Sequence, residues 1–191
     1  SPRTAGQSAR ADENARGIGD VTTLARIALF DPATTSRSWN VEVGVGMKVP
    51  TGRADATDVF PDKNGENNLE RYVDISVQPG DGGWGEIADL QVYAVRGRFT
   101  GFASGTYMLN PKNTGTASRG NLVNTTAPTN INSVTDQFVT RAGISASLPA
   151  GLSATMAWRA EGAPRYDLIG RSDGFRRPGV EMYWEPGLTL A

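Results

Sequence analysis

The sequence of 191 residues contains neither cysteine nor histidine. Without cysteine there is no disulfide, no thiolate nucleophile and no cysteine-based zinc site. Without histidine the chain lacks the usual general base and the commonest metal ligand. The serine and threonine residues have no base-containing pattern beside them, and no carboxylate pair has the spacing that glycoside hydrolysis needs. We therefore predict a protein that is not an enzyme and requires no cofactor.

Long apolar runs are missing as well. A run such as Ile27-Ala28-Leu29-Phe30 spans four residues, whereas a transmembrane helix needs about 20. Transmembrane strands pass this test, because only alternate residues of such a strand face lipid. Lysine and arginine are spread along the chain and the net charge is −1. We therefore expect no nucleic-acid partner, which would call for a basic patch.

The strongest pattern in the sequence is an alternation over residues 39–49. Every odd position of this segment is apolar, and every even position is polar, charged or glycine. A period of two indicates a β-strand with one apolar and one polar face. Its eleven residues match the about 9–11 that a tilted transmembrane strand needs, whereas strands of soluble proteins have about five or six.

The same alternation returns more weakly along the chain. With the first segment it predicts seven strands, at residues 18–30, 38–49, 84–96, 99–109, 137–148, 152–161 and 179–190. Residues 69–78 are an eighth candidate, which we interpret as a hairpin arm in the extracellular region.

The predicted connections alternate between short and long. Residues 31–37, 97–98 and 149–151 are short, whereas 50–83, 110–136 and 162–178 are long. If the strands run up and down, all three long loops lie at one end, as in outer-membrane barrels with short periplasmic turns and long extracellular loops. The sequence thus predicts an all-β, antiparallel up-and-down transmembrane β-barrel, or part of one.

We assign residues 17–191 to this barrel domain and 1–16 to a flexible N-terminal segment or a preceding loop. The odd number of strands and a C-terminus without an aromatic residue lead us to expect a fragment of a longer barrel, because bacterial barrels have even strand numbers. The expected location is the bacterial outer membrane.

The charged residues of the predicted strands share one face. In a barrel this face lines the lumen, whereas in a soluble sandwich it would be solvated. The predicted lumen-facing residues are Arg26, Glu42, Lys48, Asp89, Arg141, Arg159, Glu161, Glu181 and Glu185. The residues predicted to face outward are Val41, Val43, Val45, Leu90, Ile144, Met156 and Trp158.

Several motifs lie at the predicted strand ends and in the loops. They are Val49-Pro50-Thr51-Gly52-Arg53, Asn110-Pro111-Lys112, Asp136-Gln137-Phe138 and the glycine-rich segments 78–85, 161–164, 167–170 and 172–179. Over residues 17–191 these motifs resemble a bacterial outer-membrane family named for transporters of the meta-pathway of phenol degradation, and related barrels. The resemblance implies a β-barrel in the outer membrane and the passage of small hydrophobic molecules.

From these observations we expect a passive channel or transporter for small, hydrophobic or aromatic molecules. Its partners would be the lipid bilayer, a small-molecule solute and other envelope proteins. One alternative is a structural or partner-binding barrel without a conducting pore. Another is a soluble β-sandwich or lipocalin-like binding module, whose strands also show a period of two.

Two loop regions contain candidate site residues. In the last long loop, an ion-pair cluster would fold the loop inward as a constriction, or the loop is merely solvated; the residues are Asp167, Arg171, Asp173, Arg176 and Arg177. In the first long loop, Asp58, Asp62 and Asn64 offer hard oxygens to calcium. A turn explains them better, so we expect no metal site.

Aromatic residues are expected near strand ends, where amphipathic rings would lie at the headgroup level of a bilayer. Ordinary core packing is the alternative. The residues concerned are Trp39, Trp84, Phe99, Tyr107, Trp158 and Trp184.

Overall fold

The computed structural model describes residues 13–31, 33–34, 36–61, 68–112, 115 and 131–190. Antiparallel β-strands dominate this part of the chain, in agreement with the predicted all-β class. The strands are β1 (Val21–Ala28), β2 (Trp39–Val49), β3 (Thr57–Pro61), β4 (Asn68–Tyr72), β5 (Gly85–Arg96), β6 (Phe99–Leu109), β7 (Gln137–Ser147), β8 (Leu152–Ala163) and β9 (Gly179–Leu190). Within the described ranges, no helix is long and apolar enough to span a membrane.

Seven of the strands form one antiparallel sheet with the order β1-β2-β5-β6-β7-β8-β9. Apart from the insertion of β3 and β4, each strand of this sheet pairs with the strand that follows it in the chain. The sheet is therefore a simple meander. The seven predicted strands are therefore confirmed, with ends that differ by at most a few residues. Strands β3 and β4 form a separate two-stranded hairpin. Residues 69–78, which we predicted as a hairpin arm, do contribute an arm of this hairpin, strand β4. The strand ends at Tyr72, and residues 75–77 form a turn.

The sheet is open in this structure. Strand β1 pairs only with β2, and β9 only with β8, among the described residues. A meander of seven antiparallel strands also leaves its first and last strands pointing in the same direction. The prediction of a large antiparallel sheet is therefore confirmed, and among the described residues the two edge strands are not hydrogen-bonded to each other.

The connections separate into two ends, as predicted. Strand pairs β1–β2, β5–β6 and β7–β8 are joined by short turns, and the other three connections are long. The tightest turn contains only Gly97 and Arg98, and Gly97 has a φ of 59°. Because a left-handed backbone is easy for glycine and costly for most other residues, the glycine at this position accounts for the tight hairpin.

The register places one residue from every strand in rows across the sheet. One row contains Arg26, Gly44, Asp89, Thr106, Val139, Glu161 and Glu181. The next row contains Ile27, Val43, Leu90, Gly105, Thr140, Ala160 and Met182. Since successive side chains of a strand point to opposite faces, the first row lies on what we name the polar face and the second on the apolar face. All nine residues predicted to face a lumen belong to the polar face, and all seven predicted to face outward belong to the apolar face.

Large apolar side chains are exposed on the apolar face, and two charged side chains are buried on the polar face. On the apolar face Val45 is 73% exposed and Trp184 is 74% exposed. On the polar face Lys48 and Asp89 are buried. Large contiguous apolar surfaces are rare on soluble monomers and mark contacts with a partner or a membrane. The apolar face is therefore a surface that requires a covering.

The described N-terminal residues are attached to the β3–β4 region. The Glu13 carboxylate accepts a hydrogen bond of 2.9 Å from the backbone N–H of Asp74. The backbone N–H of Asn14 donates to the Asp58 carboxylate, also at 2.9 Å. The remainder of the predicted flexible segment, residues 1–12, lies outside the described residues.

Candidate functional site

An ion pair crosses the polar face between β1 and β5, which are separated by β2. Arg26 Nε lies 2.7 Å from Asp89 Oδ1, and the Thr106 hydroxyl donates to Asp89 Oδ2 at 2.6 Å. The residue between the pair on β2 is Gly44, where an added Cβ would come within 3.0 Å of both Arg26 Cγ and Asp89 Cβ. The absence of a side chain at Gly44 lets the two charged groups meet above the strand.

A second set of ion pairs joins β7, β8 and β9. Arg141 Nε lies 2.6 Å from Glu185 Oε2, and Arg159 Nε lies 2.9 Å from Glu185 Oε1. Arg159 Nη1 also lies 3.1 Å from Glu161 Oε2. The Tyr183 ring lies under the Arg159 guanidinium, at 4.7 Å from its centroid. Two guanidiniums and two carboxylates thus form one connected cluster on the polar face.

The polar face also lines an open cavity of about 850 Å³. Its lining includes Thr22 of β1 and Glu181 of β9, the two edge strands of the sheet. In a flat sheet these strands would be about 29 Å apart, six intervals of about 4.8 Å. Both edges can line one cavity only if the sheet curves around its polar face, so that face is concave.

At the end of the sheet with the long connections, a buried polar network joins several strand ends. Lys48 pairs with Asp81, and its Nζ atom donates to Asn110 Oδ1 at 2.8 Å. The backbone N–H of Asn110 donates to Asp136 Oδ1 at 2.8 Å, and the Tyr107 hydroxyl donates to Asp136 Oδ2 at 2.9 Å. Asn110 and Asp136 are fully buried. Hydrogen bonds therefore offset the cost of burying these polar groups.

The network continues into the last long loop. The backbone N–H of Leu168 donates to Asp136 Oδ2, and the backbone N–H of Asp136 donates to Asp167 Oδ1, both at 2.9 Å. Asp167 Oδ1 also lies 2.6 Å from Arg176 Nη2, and the exposed fractions of the two side chains are 0% and 10%. Hydrogen bonds at Asp136 thus anchor the last long loop to the start of β7, and a buried ion pair joins Asp167 to Arg176 within that loop.

The predicted ion-pair cluster of the last loop forms only in part. Asp167 and Arg176 meet, but Arg177 Nη2 pairs instead with Asp74 Oδ2 of the first long connection, at 2.7 Å. Arg171 and Asp173 are exposed. The prediction grouped the five residues because they are close in the sequence. The partner of Arg177, however, lies 103 positions away from it in the chain. Only contacts between loops could reveal that pair.

Hydrogen bonding at Asp74 holds the first and last long connections together. Burial acts to raise the pKa of Asp74, but hydrogen bonds from Arg177 and Ser76 outweigh it and lower the pKa to about 2. Asp74 is therefore ionised, and its pair with Arg177 is present, throughout the neutral and mildly acidic range.

Of the three calcium candidates, the structure describes Asp58. Backbone N–H groups of Asn14 and Val59 bond the Asp58 carboxylate and lower its pKa. Asp62 and Asn64 lie outside the described residues. Within the part of the chain that the structure describes, no group of three or more His, Cys, Asp or Glu side chains could hold a metal ion.

The aromatic residues follow the predicted position near strand ends only in part. Trp39 and Phe99 begin β2 and β6. Trp158 and Trp184, however, lie near the middle of β8 and β9, directly opposite each other on the apolar face. The prediction was wrong for these two residues, because each strand extends by about five residues on either side of its tryptophan.

The sequence interpretation also missed residues that the structure brings into the site. Asn110 and Asp136 were noted only as parts of turn motifs, and Asp81 only within a glycine-rich segment. Their positions at strand ends could have indicated this role, because Asn110 directly follows β6 and Asp136 directly precedes β7. Polar residues at neighbouring ends of paired strands can meet without any sequence motif.

Comparison with protein-family models finds no match to this chain, and comparison with curated proteins finds none either.

Proposed function

We propose that the seven-stranded sheet is the wall, or part of the wall, of a β-barrel in the bacterial outer membrane. Its apolar face lies against lipid, and its concave polar face lines a lumen through which small solutes diffuse. The observation that carries this proposal is the exposure of large apolar side chains on one face of a sheet whose other face carries paired charges. Each of the seven strands has at least one exposed large apolar side chain on the apolar face, while charged side chains pair on the polar face.

Strand length supports the proposal. Strands β2, β6 and β7 have 11 residues, and β5, β8 and β9 have 12. A tilted transmembrane strand needs about 9–11 residues. Strands of soluble domains are about half as long.

The separation of the connections also supports the proposal. Outer-membrane barrels have short periplasmic turns and longer extracellular loops, and the three long connections here share one end of the sheet. The buried network around Asn110, Asp136 and Asp167 holds that end together. We assign this end to the outside of the cell.

The soluble alternatives fit the faces less well. A β-sandwich or a lipocalin-like module would bury its apolar strand face and expose its charges. Here Asp89 and Lys48 are buried while Val45, Met182 and Trp184 are exposed. A lipid covering removes this conflict.

Insertion into a bilayer is tested by tryptophan fluorescence. The full chain is refolded into phosphatidylcholine vesicles, and lipids brominated near the end of their acyl chains are used as quenchers. Trp158 and Trp184 lie near the middle of their strands on the apolar face, so deep bromines should quench them. A variant with Trp158→Phe and Trp184→Phe keeps Trp39 and Trp84 and should lose most of the deep quenching. A chain that folds in water without detergent and ignores the brominated lipid contradicts the proposal.

Passage of solute is tested in planar bilayers. We expect ion conductance for the inserted chain, and a changed ion preference when the polar-face residue Glu42 is replaced in Glu42→Gln. The class of solute that we propose from the family resemblance is small and hydrophobic or aromatic, and other envelope proteins are the proposed protein partners.

A structural barrel without a conducting pore is the second candidate. The cluster of Arg141, Arg159 and Glu185 bridges three strands on the polar face, and small barrels have interiors filled by side chains. Insertion without any conductance would favour this candidate over the channel.

A further inference from the structure

The cavity on the polar face has an apolar floor. Ile87, Met108 and Val139 line it from β5, β6 and β7. Ile87 and Met108 lie directly opposite each other in the register, and Ile87 is buried. This apolar patch spans three neighbouring strands and lies on the same face as the paired charges of Arg26, Asp89 and Arg141. The patch offers a surface to the hydrocarbon part of a ligand.

The adjacent wall of the cavity is acidic. Glu161 of β8 and Glu181 of β9 both line it and lie directly opposite each other in the register. Like charges in this arrangement destabilise a sheet. The cationic side chain beside them is Arg159, which is shared between Glu161 and Glu185. A cation bound between the two carboxylates would relieve the repulsion.

The charges around this wall do not balance. In the part of the chain that the structure describes, three carboxylates, Glu161, Glu181 and Glu185, face two guanidiniums, Arg141 and Arg159. Among the described residues, Glu181 is the carboxylate of this wall that receives no guanidinium, and the neutral Tyr183 hydroxyl donates a hydrogen bond to it. One negative charge therefore remains at the edge of the cavity.

Arg177 is the other charged residue of the lining, and it does not supply the missing cation. Its Nη1 and Nη2 atoms donate to the two carboxylate oxygens of Asp74, at 3.0 and 2.7 Å. This bidentate pair compensates the guanidinium charge within the loops. The lining therefore retains a net negative character beside the apolar floor.

We propose that this cavity binds a small organic monocation, in which one ammonium group is attached to a compact aryl or alkyl body. The hydrocarbon body packs on Ile87, Met108 and Val139, and the ammonium group lies against Glu181. Val139 and Glu181 are two strands apart, about 10 Å along the sheet, and a ligand of the size of benzyltrimethylammonium spans much of that distance. The inference rests on the proposed function, because it takes the polar face to line the lumen.

The test uses the full chain folded in detergent micelles, with protein-free micelles as the blank. Binding of benzyltrimethylammonium, benzyl alcohol and benzenesulfonate is measured by titration calorimetry. We expect the cation to bind more tightly than the alcohol and the anion not to bind. Glu181→Gln should weaken binding of the cation about fivefold, the effect of losing one partly exposed ion pair. The matched control is Glu70→Gln, which removes the same charge from the β3–β4 hairpin and should leave binding unchanged.

A second pair of measurements separates the apolar floor from the acidic wall. Met108→Ser should weaken binding of benzyltrimethylammonium and leave that of tetramethylammonium unchanged. Equal affinities for the cation and the anion, or an unchanged affinity in Glu181→Gln, would overturn the inference. Deep quenching by brominated lipid is measured on the same variants. A chain that inserts but does not bind the cation refutes only this inference, whereas a chain that does not insert refutes the proposed function.

Discussion

Arg26 and Asp89 form an ion pair of 2.7 Å although a whole strand lies between them. The pair passes over Gly44, which the register places directly beside both residues. A long side chain from one strand and a short one from another can meet in this way where the intervening residue has no side chain and the sheet curves toward the polar face. Glycine in the middle of a strand is normally a weakness, and here it makes room for the pair.

A side chain at position 44 should therefore separate Arg26 from Asp89. We expect Gly44→Val to lower the free energy of unfolding by about 1–3 kcal/mol, the usual cost of overpacking. The matched control is Gly101→Val, because an added Cβ at Gly101 meets nothing within 4 Å. Urea unfolding in vesicles measures both variants, and equal midpoints would show that Gly44 does not make room for the pair.

A positive charge on the apolar face should be costly in the middle of a strand and tolerated at its end. Val43 lies near the middle of β2, and Val21 is the first residue of β1. We expect Val43→Lys to destabilise the inserted chain by about 2–4 kcal/mol and Val21→Lys by about 0–1 kcal/mol. Unfolding in vesicles of defined thickness gives both values. Equal costs at the two positions would contradict the assignment of this face to lipid.

Acid should release the first long connection from the last. A carboxyl group whose pKa is lowered on folding stabilises the fold above its unfolded pKa, and this contribution is lost as the pH falls through the folded value. For Asp74 the two values are 3.8 and about 2. Because the chain has no cysteine, spin labels can be attached in a variant with Asp55→Cys and Arg171→Cys. The distance between the labels should stay constant from neutral pH to about pH 4 and broaden as the pH falls through about 2.

Asp74→Asn in the same labelled chain is the control for this experiment. Its label distances should be broad at every pH, since a neutral side chain cannot keep the ion pair with Arg177. Identical acid-induced broadening in both chains would attribute the transition to other carboxyl groups.

The buried pair of Asp167 and Arg176 should hold the last long loop closed. Removing one partner of a buried ion pair typically costs about 3–5 kcal/mol. We expect Asp167→Asn to speed tryptic cleavage after the exposed Arg171 by more than a hundredfold, because cleavage follows the population of the open loop. Asp55→Asn removes an exposed carboxylate of the first long connection and should change the rate little. Combining Asp167→Asn with Arg176→Met should restore part of the protection, as no unpaired charge then remains buried.

The strands and their two faces could be predicted from the sequence because both depend on local order. The alternation over residues 39–49 defines which side chains of β2 share a face, whatever the neighbouring strand is. The alternation of short and long connections could also be predicted, because the length of each connection is the number of residues between two consecutive strands. Seven strands and sixteen facing assignments could therefore be derived without any contact being known.

The tertiary structure decided which charges meet. The period of two predicts that Arg26, Asp89, Arg141 and Glu185 share one face. It does not predict the register or the curvature of the sheet, which bring each pair together across an intervening strand. The period also does not predict that Arg177 contacts Asp74, 103 residues away, or that Asn110 and Asp136 are buried between strand ends. Strand periodicity is a property of consecutive residues, whereas ion pairs, cavities and buried networks depend on distances between segments far apart in the chain. Only the folded chain determines those distances.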